Sequence, residues 1–127
     1  MNPEELKNRT KAFAVRVVNL VDRLPESRAT NAIASQLVRS GMSVGANYRA
    51  ACRARSRADF ISKLGTVEEE SDETIYWMDL LVESGKVKSA ALTNLMREAG
   101  EILAITVASI NTDRSGKNPH SALRTPQ

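Results

Sequence analysis

The sequence predicts an all-α protein, an antiparallel up-down four-helix bundle, from three observations. Its 127 residues include only four prolines and six glycines, so long stretches contain no helix breaker. Aromatic residues make up 4% of the chain, which disfavours β-sheet. Apolar residues recur three and four positions apart in four segments with short connections, which is typical of helices that bury one face. A chain of this length forms a single domain with one core.

The first helix is predicted from about Pro3 to Arg23. Pro25 ends it, because proline has no backbone N–H to continue the helical hydrogen bonds. The apolar residues of this segment lie seven, four, three and four positions apart: Leu6, Phe13, Val17, Leu20 and Leu24.

The second helix is predicted to begin at a cap formed by Ser27 or Thr30 and to end near Arg55. Its apolar stripe includes Ile33, Leu37 and Val44. Gly41 and Gly45 interrupt the bulk of the helix. Glycine inside a helix costs about 1 kcal/mol relative to alanine, so we expect another helix to pack closely there.

The third helix begins at Ser56, which forms a capping box with Asp59. Ser84 and Gly85 end it, because glycine most readily adopts the left-handed C-terminal cap. Seven residues alternate four and three apart along its buried face: Phe60, Leu64, Val67, Ser71, Thr74, Met78 and Leu81. The two hydroxyls in this series predict a narrow layer in which they hydrogen-bond to the preceding turn.

The fourth helix repeats that spacing and is predicted to end near Asn111. Its series is Leu92, Leu95, Ala99, Ile102, Thr106 and Ser109. We therefore place the bundle in residues 1–111. Residues 112–127, with Gly116, Pro119 and Pro126 among few apolar side chains, are interpreted as a flexible tail.

Cysteine usage and hydropathy predict a cytoplasmic protein with no membrane contact. The single Cys52 cannot form an internal disulfide, and a structural role in a reducing compartment is expected. The first residues, MNPEELKNRTK, are charged where a signal peptide is apolar, and no apolar run reaches the length of a membrane span.

Charges are segregated along the chain. Residues 39–63 contain six cations and one acid, Asp59; the cations are Arg39, Arg49, Arg53, Arg55, Arg57 and Lys63. Five carboxylates follow without a cation: Glu68, Glu69, Glu70, Asp72 and Glu73. The cations are the candidate nucleic-acid-binding residues, since they can neutralise the phosphates of RNA or DNA without reading sequence. The alternative is that they pair with acids of the third helix, within or between subunits.

The glutamates of the third and fourth helices allow an enzymatic interpretation. Glu70 and Glu73, with Glu98 and Glu101 one helix later, form two E-x-x-E motifs that can hold Mg²⁺ and resemble those of all-α nucleotide pyrophosphatases. A di-iron site lacks support because the only histidine, His120, lies in the predicted tail. No cofactor is expected.

Four further residues are assigned structural roles. Gln36 and Asn47 are expected to be buried groups whose hydrogen bonds set helix register. Tyr76 and Trp77 are assigned to the core or to a subunit interface.

Three groups of residues resemble the 23S rRNA-intervening sequence protein family, over roughly residues 6–111. They are Leu24-Pro25; Gln36-Leu37, Arg39-Ser40 and Ser43-Val44-Gly45-Ala46-Asn47; and Ser56, Asp59-Phe60, Lys63-Leu64, Glu70, Asp72-Glu73-Thr74 and Trp77. The resemblance implies an antiparallel four-helix bundle that assembles as a homopentameric ring. A related branch, the accessory variability proteins of diversity-generating retroelements, works with a reverse transcriptase and nucleic acid.

The sequence thus predicts a non-enzymatic, homo-oligomeric, pentameric scaffold that binds RNA or DNA through its arginine-rich surface, with a protein partner such as a reverse transcriptase. The alternatives are a purely structural interaction module and a Mg²⁺-dependent nucleotide pyrophosphatase.

Overall fold

The computed structural model describes residues 1–115, which form four α-helices. They are α1 (Pro3–Arg23), α2 (Arg28–Ala51), α3 (Arg57–Glu83) and α4 (Ser89–Arg114). The described residues contain no β-strand, so the all-α, four-helix prediction is confirmed. Most of the predicted tail, residues 116–127, lies outside the described residues.

Three of the four helices begin at a polar side chain that accepts a backbone N–H. Asn2 accepts from Glu5 at 2.8 Å, Ser27 from Thr30 at 3.0 Å, and Ser56 from the N–H of Asp59 at 3.0 Å. Ser27 is therefore the cap of α2. The Asp59 carboxylate accepts from the N–H of Arg55 at 3.4 Å, one residue before the position that a capping box predicts.

Helix α2 ends at Ala51, four residues before the predicted end near Arg55. After Ala51 the backbone forms a tighter turn with i to i+3 hydrogen bonds. The N–H of Arg53 donates to the carbonyl of Ala50, and the N–H of Ala54 donates to that of Ala51, both at 3.0 Å. Such i to i+3 bonds are typical of the last turn of a helix, and Arg55 lies in the connection between α2 and α3.

The two glycines of α2 mark its closest approach to α1. A Cβ on Gly41 would lie 2.8 Å from a methyl carbon of Val17, and one on Gly45 would lie 3.2 Å from the carbonyl oxygen of Thr10. The close packing predicted for these glycines is confirmed. Because the later glycine meets the earlier α1 residue, the two helices are antiparallel.

A polar layer joins α2 and α3. The hydroxyl of Thr74 donates to the carbonyl of Glu70 at 2.7 Å and lies 3.0 Å from the hydroxyl of Ser40. Ser71 is also buried, but its hydroxyl has no hydrogen-bond partner among the residues described, so the expected bond forms at only one of the two positions.

Helices α2 and α3 are also antiparallel. Ser40 contacts Thr74, whereas Arg49, later in α2, shares a cavity with Asp59, much earlier in α3. The C-terminal end of α2 therefore lies beside the N-terminal ends of α1 and α3.

The core follows the predicted stripes. All seven residues of the α3 series are buried, as are Leu6, Phe13 and Val17 of α1. The gap of seven between Leu6 and Phe13 is filled by Thr10, whose hydroxyl donates to the carbonyl of Leu6 at 2.9 Å. Leu20 and Leu24 are half-buried.

The prediction that Gln36 and Asn47 are buried and set helix register is wrong. Gln36 is exposed, and Asn47 is half-buried. The side-chain amide of Asn47 donates to the carbonyl of Ser43 in its own helix at 2.8 Å, so it does not set the register between helices.

Helix α4 continues to Arg114, three residues beyond the predicted end near Asn111. Ile110 and Asp113 are buried there, whereas Ser109 is only half-buried. A straight helix has 3.6 residues per turn and drifts from a 3.5-residue repeat, which moves the buried position from 109 to 110. The Asp113 carboxylate, fully buried, lies 3.9 Å from Nε of Arg57, so the end of α4 packs beside the start of α3.

Helix α3 ends as predicted, with Ser84 as its cap and Gly85 at a φ of 75°. Over residues 1–115, no helix combines the length and apolar character that crossing a bilayer requires.

Candidate nucleic-acid interface

Arg39, the first of the six predicted binding residues, is neutralised by α3. Its guanidinium donates to Glu70 at 3.1 Å and also to Glu73. The indole N–H of Trp77 donates to the same Glu73 carboxylate at 3.1 Å. The Trp77 indole and the Arg39 guanidinium together hold the pKa of Glu73 below its usual range. The alternative interpretation, pairing with the acids of the third helix, is therefore correct for Arg39.

Arg57 and Lys63 also lie close to carboxylates. Arg57 approaches the buried Asp113 as described above, with about half of its own side chain exposed. The ammonium of Lys63 donates to Asp59 at 2.6 Å, one helical turn away, and this bond lowers the pKa of Asp59. Both partners of the second pair remain partly exposed, so Lys63 still borders the solvent.

Arg49, Arg53 and Arg55 differ from the other three. Within residues 1–115, none of them forms an ion pair. Their side chains, with those of Asp59 and Lys63, surround a cavity of about 540 Å³ between α2 and α3. We call this group of five residues the basic corner.

The basic corner carries four cations and one carboxylate. It is built by the C-terminal end of α2, the following turn and the first two turns of α3. The small residues Ala46 and Ala50 also line the cavity, and Arg49, Arg53 and Arg55 are exposed. A concave surface with a net positive charge favours the binding of polyanions.

Aromatic stacking is not available at this surface. Tyr48, the aromatic residue among these arginines in the sequence, is fully buried. Burial raises the pKa of its hydroxyl, and the nearby Cys52 thiol contributes to the same shift. The basic corner therefore offers charge and no exposed ring for unpaired bases.

Sequence analysis missed two lysines near this corner. Lys7 and Lys11 of α1 border a second cavity, of about 520 Å³, on the other side of Arg49 and Arg53. Lysines four apart lie on one face of a helix, and this spacing was the available signal. Nothing in the sequence, however, identified which helix that face would meet.

The four glutamates of the proposed Mg²⁺ site do not converge. Glu70 and Glu73 bind Arg39 between α2 and α3, whereas Glu98 and Glu101 bind Arg9 between α1 and α4. Within residues 1–115, no group of three or more acidic, histidine or cysteine side chains is arranged to hold a metal ion. The two E-x-x-E motifs thus each bind an arginine, and the geometry expected for the pyrophosphatase alternative is wrong.

The other three carboxylates of residues 68–73 line a separate groove. Glu68, Glu69 and Asp72 of α3 line a cavity of about 450 Å³ with Leu103 and Val107 of α4. Tyr76 is 58% exposed on α3, and its ring meets the half-buried Trp77 edge to face, with the ring centres 5.0 Å apart. This acidic surface is opposite in sign to the basic corner.

Over residues 1–115, the fold and the charge distribution define an all-α four-helix protein with concave surfaces of opposite charge. The sequence profile of the 23S rRNA-intervening sequence proteins matches residues 4–108. The chain belongs to this family, and the resemblance noted in the sequence is confirmed.

A solved structure agrees with this assignment. It is the crystal structure of a protein with unknown function from the S23 ribosomal protein family of Bacteroides thetaiotaomicron. That protein is 36% identical in sequence and superposes with a TM-score of 0.82 over 88% of this chain and 100% of its own. No curated protein matches the sequence.

Proposed function

We propose that this protein is a non-enzymatic, cytoplasmic homo-oligomer that binds the phosphate backbone of RNA or DNA through the basic corner. The observation that supports this most directly is that Arg49, Arg53 and Arg55 converge on one cavity without ion pairs among the described residues. Arg39 and Arg57 contribute less, because each already lies beside a carboxylate.

The chemistry of the corner supports binding without sequence recognition. Arginine and lysine contacts to phosphate position a protein on nucleic acid, whereas sequence is read by contacts to base edges or by stacking. With Tyr48 buried, the corner has no ring to stack on a base. We expect similar affinities for RNA and DNA of mixed sequence, and a strong dependence on salt.

Assembly is the second component of the proposal. The family resemblance implies a homopentameric ring. In a cyclic assembly each copy would present one basic corner. Several corners on one particle bind a long polyanion more tightly than a single corner does.

The test compares two triple variants of equal charge change. Arg49→Ala, Arg53→Ala and Arg55→Ala together remove the cations of the corner that form no ion pair among the described residues. Arg23→Ala, Lys86→Ala and Lys88→Ala remove three cations at the opposite end of the bundle, where Arg23 and Lys86 border a different groove. Retention of mixed-sequence RNA and DNA is measured by fluorescence anisotropy over a range of salt concentrations.

The corner variant should lose most of its binding at low salt. The slope of log affinity against log salt should fall by about 0.9 for each phosphate of duplex DNA that the variant no longer neutralises, or about 2.7 for three phosphates. The control variant should bind almost as the wild type does. Equal retention by the wild type and the corner variant would refute nucleic-acid binding at this site.

A purely structural role is the alternative, and the acidic α3–α4 groove favours it. If the basic corner of one copy docks on the acidic groove of the next, the same corner variant should dissociate the oligomer. Light scattering of the purified variants distinguishes the two roles. A particle of unchanged mass that no longer binds RNA supports the first, and a monomer supports the second.

A further inference from the structure

The cavity between α1 and α2 has a composition different from that of the basic corner. We call it the α1–α2 cleft. Its polar rim includes Lys7 and Lys11 from α1 and Arg49 and Arg53 from α2. Three apolar side chains also line it, which we call its apolar wall: Ala14, Met42 and Ala46. The cleft therefore combines cationic groups at its edge with a surface suited to an apolar or planar body.

The positive charge of the rim is mostly uncompensated. The single carboxylate at the cleft is Glu4, which binds Lys7 at 3.2 Å. Within residues 1–115, Lys11, Arg49 and Arg53 form no ion pair. Cations held together on two packed helices favour an anion between them, and phosphate groups accept several charge-assisted hydrogen bonds at once.

The apolar wall is a second, independent feature. Met42 is 48% exposed, which makes it one of the few large apolar side chains of the described residues that face solvent. It lies on the same cleft as the cations rather than on a face of its own. A thioether beside small alanines can pack against a ring or a short chain of many shapes.

We propose that the α1–α2 cleft binds a phosphorylated small molecule of mononucleotide size. Its phosphates contact Lys11, Arg49 and Arg53, and its body packs on Met42 and Ala14. The cavity volume of about 520 Å³ falls within the usual range of small-molecule sites, roughly 300–1,000 Å³. This inference goes beyond nucleic-acid binding, although the two ligands would share Arg49 and Arg53.

Calorimetric titration of the full chain with ATP tests the proposal, with inorganic pyrophosphate and adenosine as partial ligands. ATP should bind more tightly than pyrophosphate, since only ATP also contacts the apolar wall, and adenosine should bind weakly. Lys11→Ala should weaken ATP binding about tenfold, because it removes a charge-assisted hydrogen bond to phosphate. Arg55→Ala is the matched control: it removes one cation from the basic corner but none from the cleft.

Cys52 reports on where the nucleotide sits. It is the only cysteine of the chain, it is half-buried, and it lines the cleft beside Arg49 and Arg53. Bound ATP should slow alkylation of its thiol in proportion to occupancy. The labelling is done at about pH 8.5 or above, because burial raises the pKa of this thiol.

Three results would overturn the proposal: no ATP binding at millimolar concentration, equal affinity for ATP and pyrophosphate, or a larger loss of affinity from Arg55→Ala than from Lys11→Ala. Alkylation of Cys52 that saturating ATP leaves unchanged would likewise place the ligand elsewhere. Because these titrations contain no RNA or DNA, their failure leaves the proposed nucleic-acid binding standing. Failure of the wild-type protein to bind RNA or DNA, conversely, does not predict their outcome.

Discussion

Arg9 of α1 and Glu98 of α4 are joined by two parallel hydrogen bonds. Nε of Arg9 donates to Oε2 of Glu98, and Nη2 donates to Oε1, both at 2.7 Å. The same Nη2 also donates to Glu101. Helices α1 and α4 contact each other less extensively than the consecutive helices do, so this cluster is a main polar link between them.

Arg9→Ala should lower the free energy of unfolding by about 1–2 kcal/mol. The pair is partly buried. Its contribution to stability should therefore lie between that of an exposed ion pair and that of a buried hydrogen bond to a charged group. Lys11→Ala, at an exposed position of the same helix, is the control and should change stability by less than about 0.5 kcal/mol. Urea unfolding followed by circular dichroism measures both. Equal effects of the two substitutions would contradict a specific role for Arg9.

Acidification should lower the free energy of unfolding through the same ion pair. The Arg9 guanidinium holds the pKa of Glu98 below its usual value of 4.5. Because the folded-state pKa lies below the unfolded one, the stabilisation is complete above about pH 4.5 and is lost as the pH falls through the folded-state pKa.

Unfolding between about pH 6 and about pH 3 provides the measurement. The fall in the free energy of unfolding should be smaller in Arg9→Ala than in the wild type, since the pKa of Glu98 returns toward its ordinary value. Parallel pH profiles for the two proteins would show that Glu98 is not the titrating group.

Replacing helical glycines by alanine should stabilise the protein at some positions and destabilise it at others. A Cβ at Gly65 or Gly100 meets nothing within 4 Å, so alanine at either should raise stability by about 0.5–1 kcal/mol through helix propensity. Alanine at Gly41 should lower it by about 1–3 kcal/mol, because its Cβ would overlap the methyls of Val17. Thermal unfolding of the single variants tests this, and a stabilising Gly41→Ala would contradict the close approach of α1.

Ser71 and Ser40 should respond in opposite directions to alanine. The buried hydroxyl of Ser71 has no partner among the described residues, so Ser71→Ala should stabilise by about 0.5–1 kcal/mol. Ser40 donates to the carbonyl of Leu37 at 3.2 Å and contacts Thr74, so Ser40→Ala should destabilise by a similar amount. Chemical unfolding distinguishes them. A loss of stability in Ser71→Ala would indicate a bridging water at that hydroxyl.

Much of the fold could be predicted because its signals are local. The series from Phe60 to Leu81 follows one face of α3 throughout, and Ser56, Ser84 and Gly85 set its ends by short-range hydrogen bonding. The end of α2 was less predictable, since the choice between an α-turn and a tighter turn after Ala51 depends on small energy differences.

The candidate site was predicted only in part. The cluster of arginines could be predicted from the run of like charge in the sequence. Which of these arginines pair with carboxylates could not. Arg39 pairs with Glu70 and Glu73 because these acids lie beside it on the neighbouring helix α3. The spacing of residues in the sequence does not reveal this proximity. The α1–α2 cleft was missed for the same reason: Lys11 and Arg49 are far apart in the chain.

The sequence by itself thus determined the helices, their buried faces and the charge that each segment carries, because these depend on residues within a few turns of one another. The tertiary structure decided which charges are neutralised and which remain available. Arg39 forms ion pairs with carboxylates of α3, whereas Arg49 forms none with the described residues, although both lie on α2. Coulombic pairing depends on distance in space, and only the packing of the four helices against one another sets those distances.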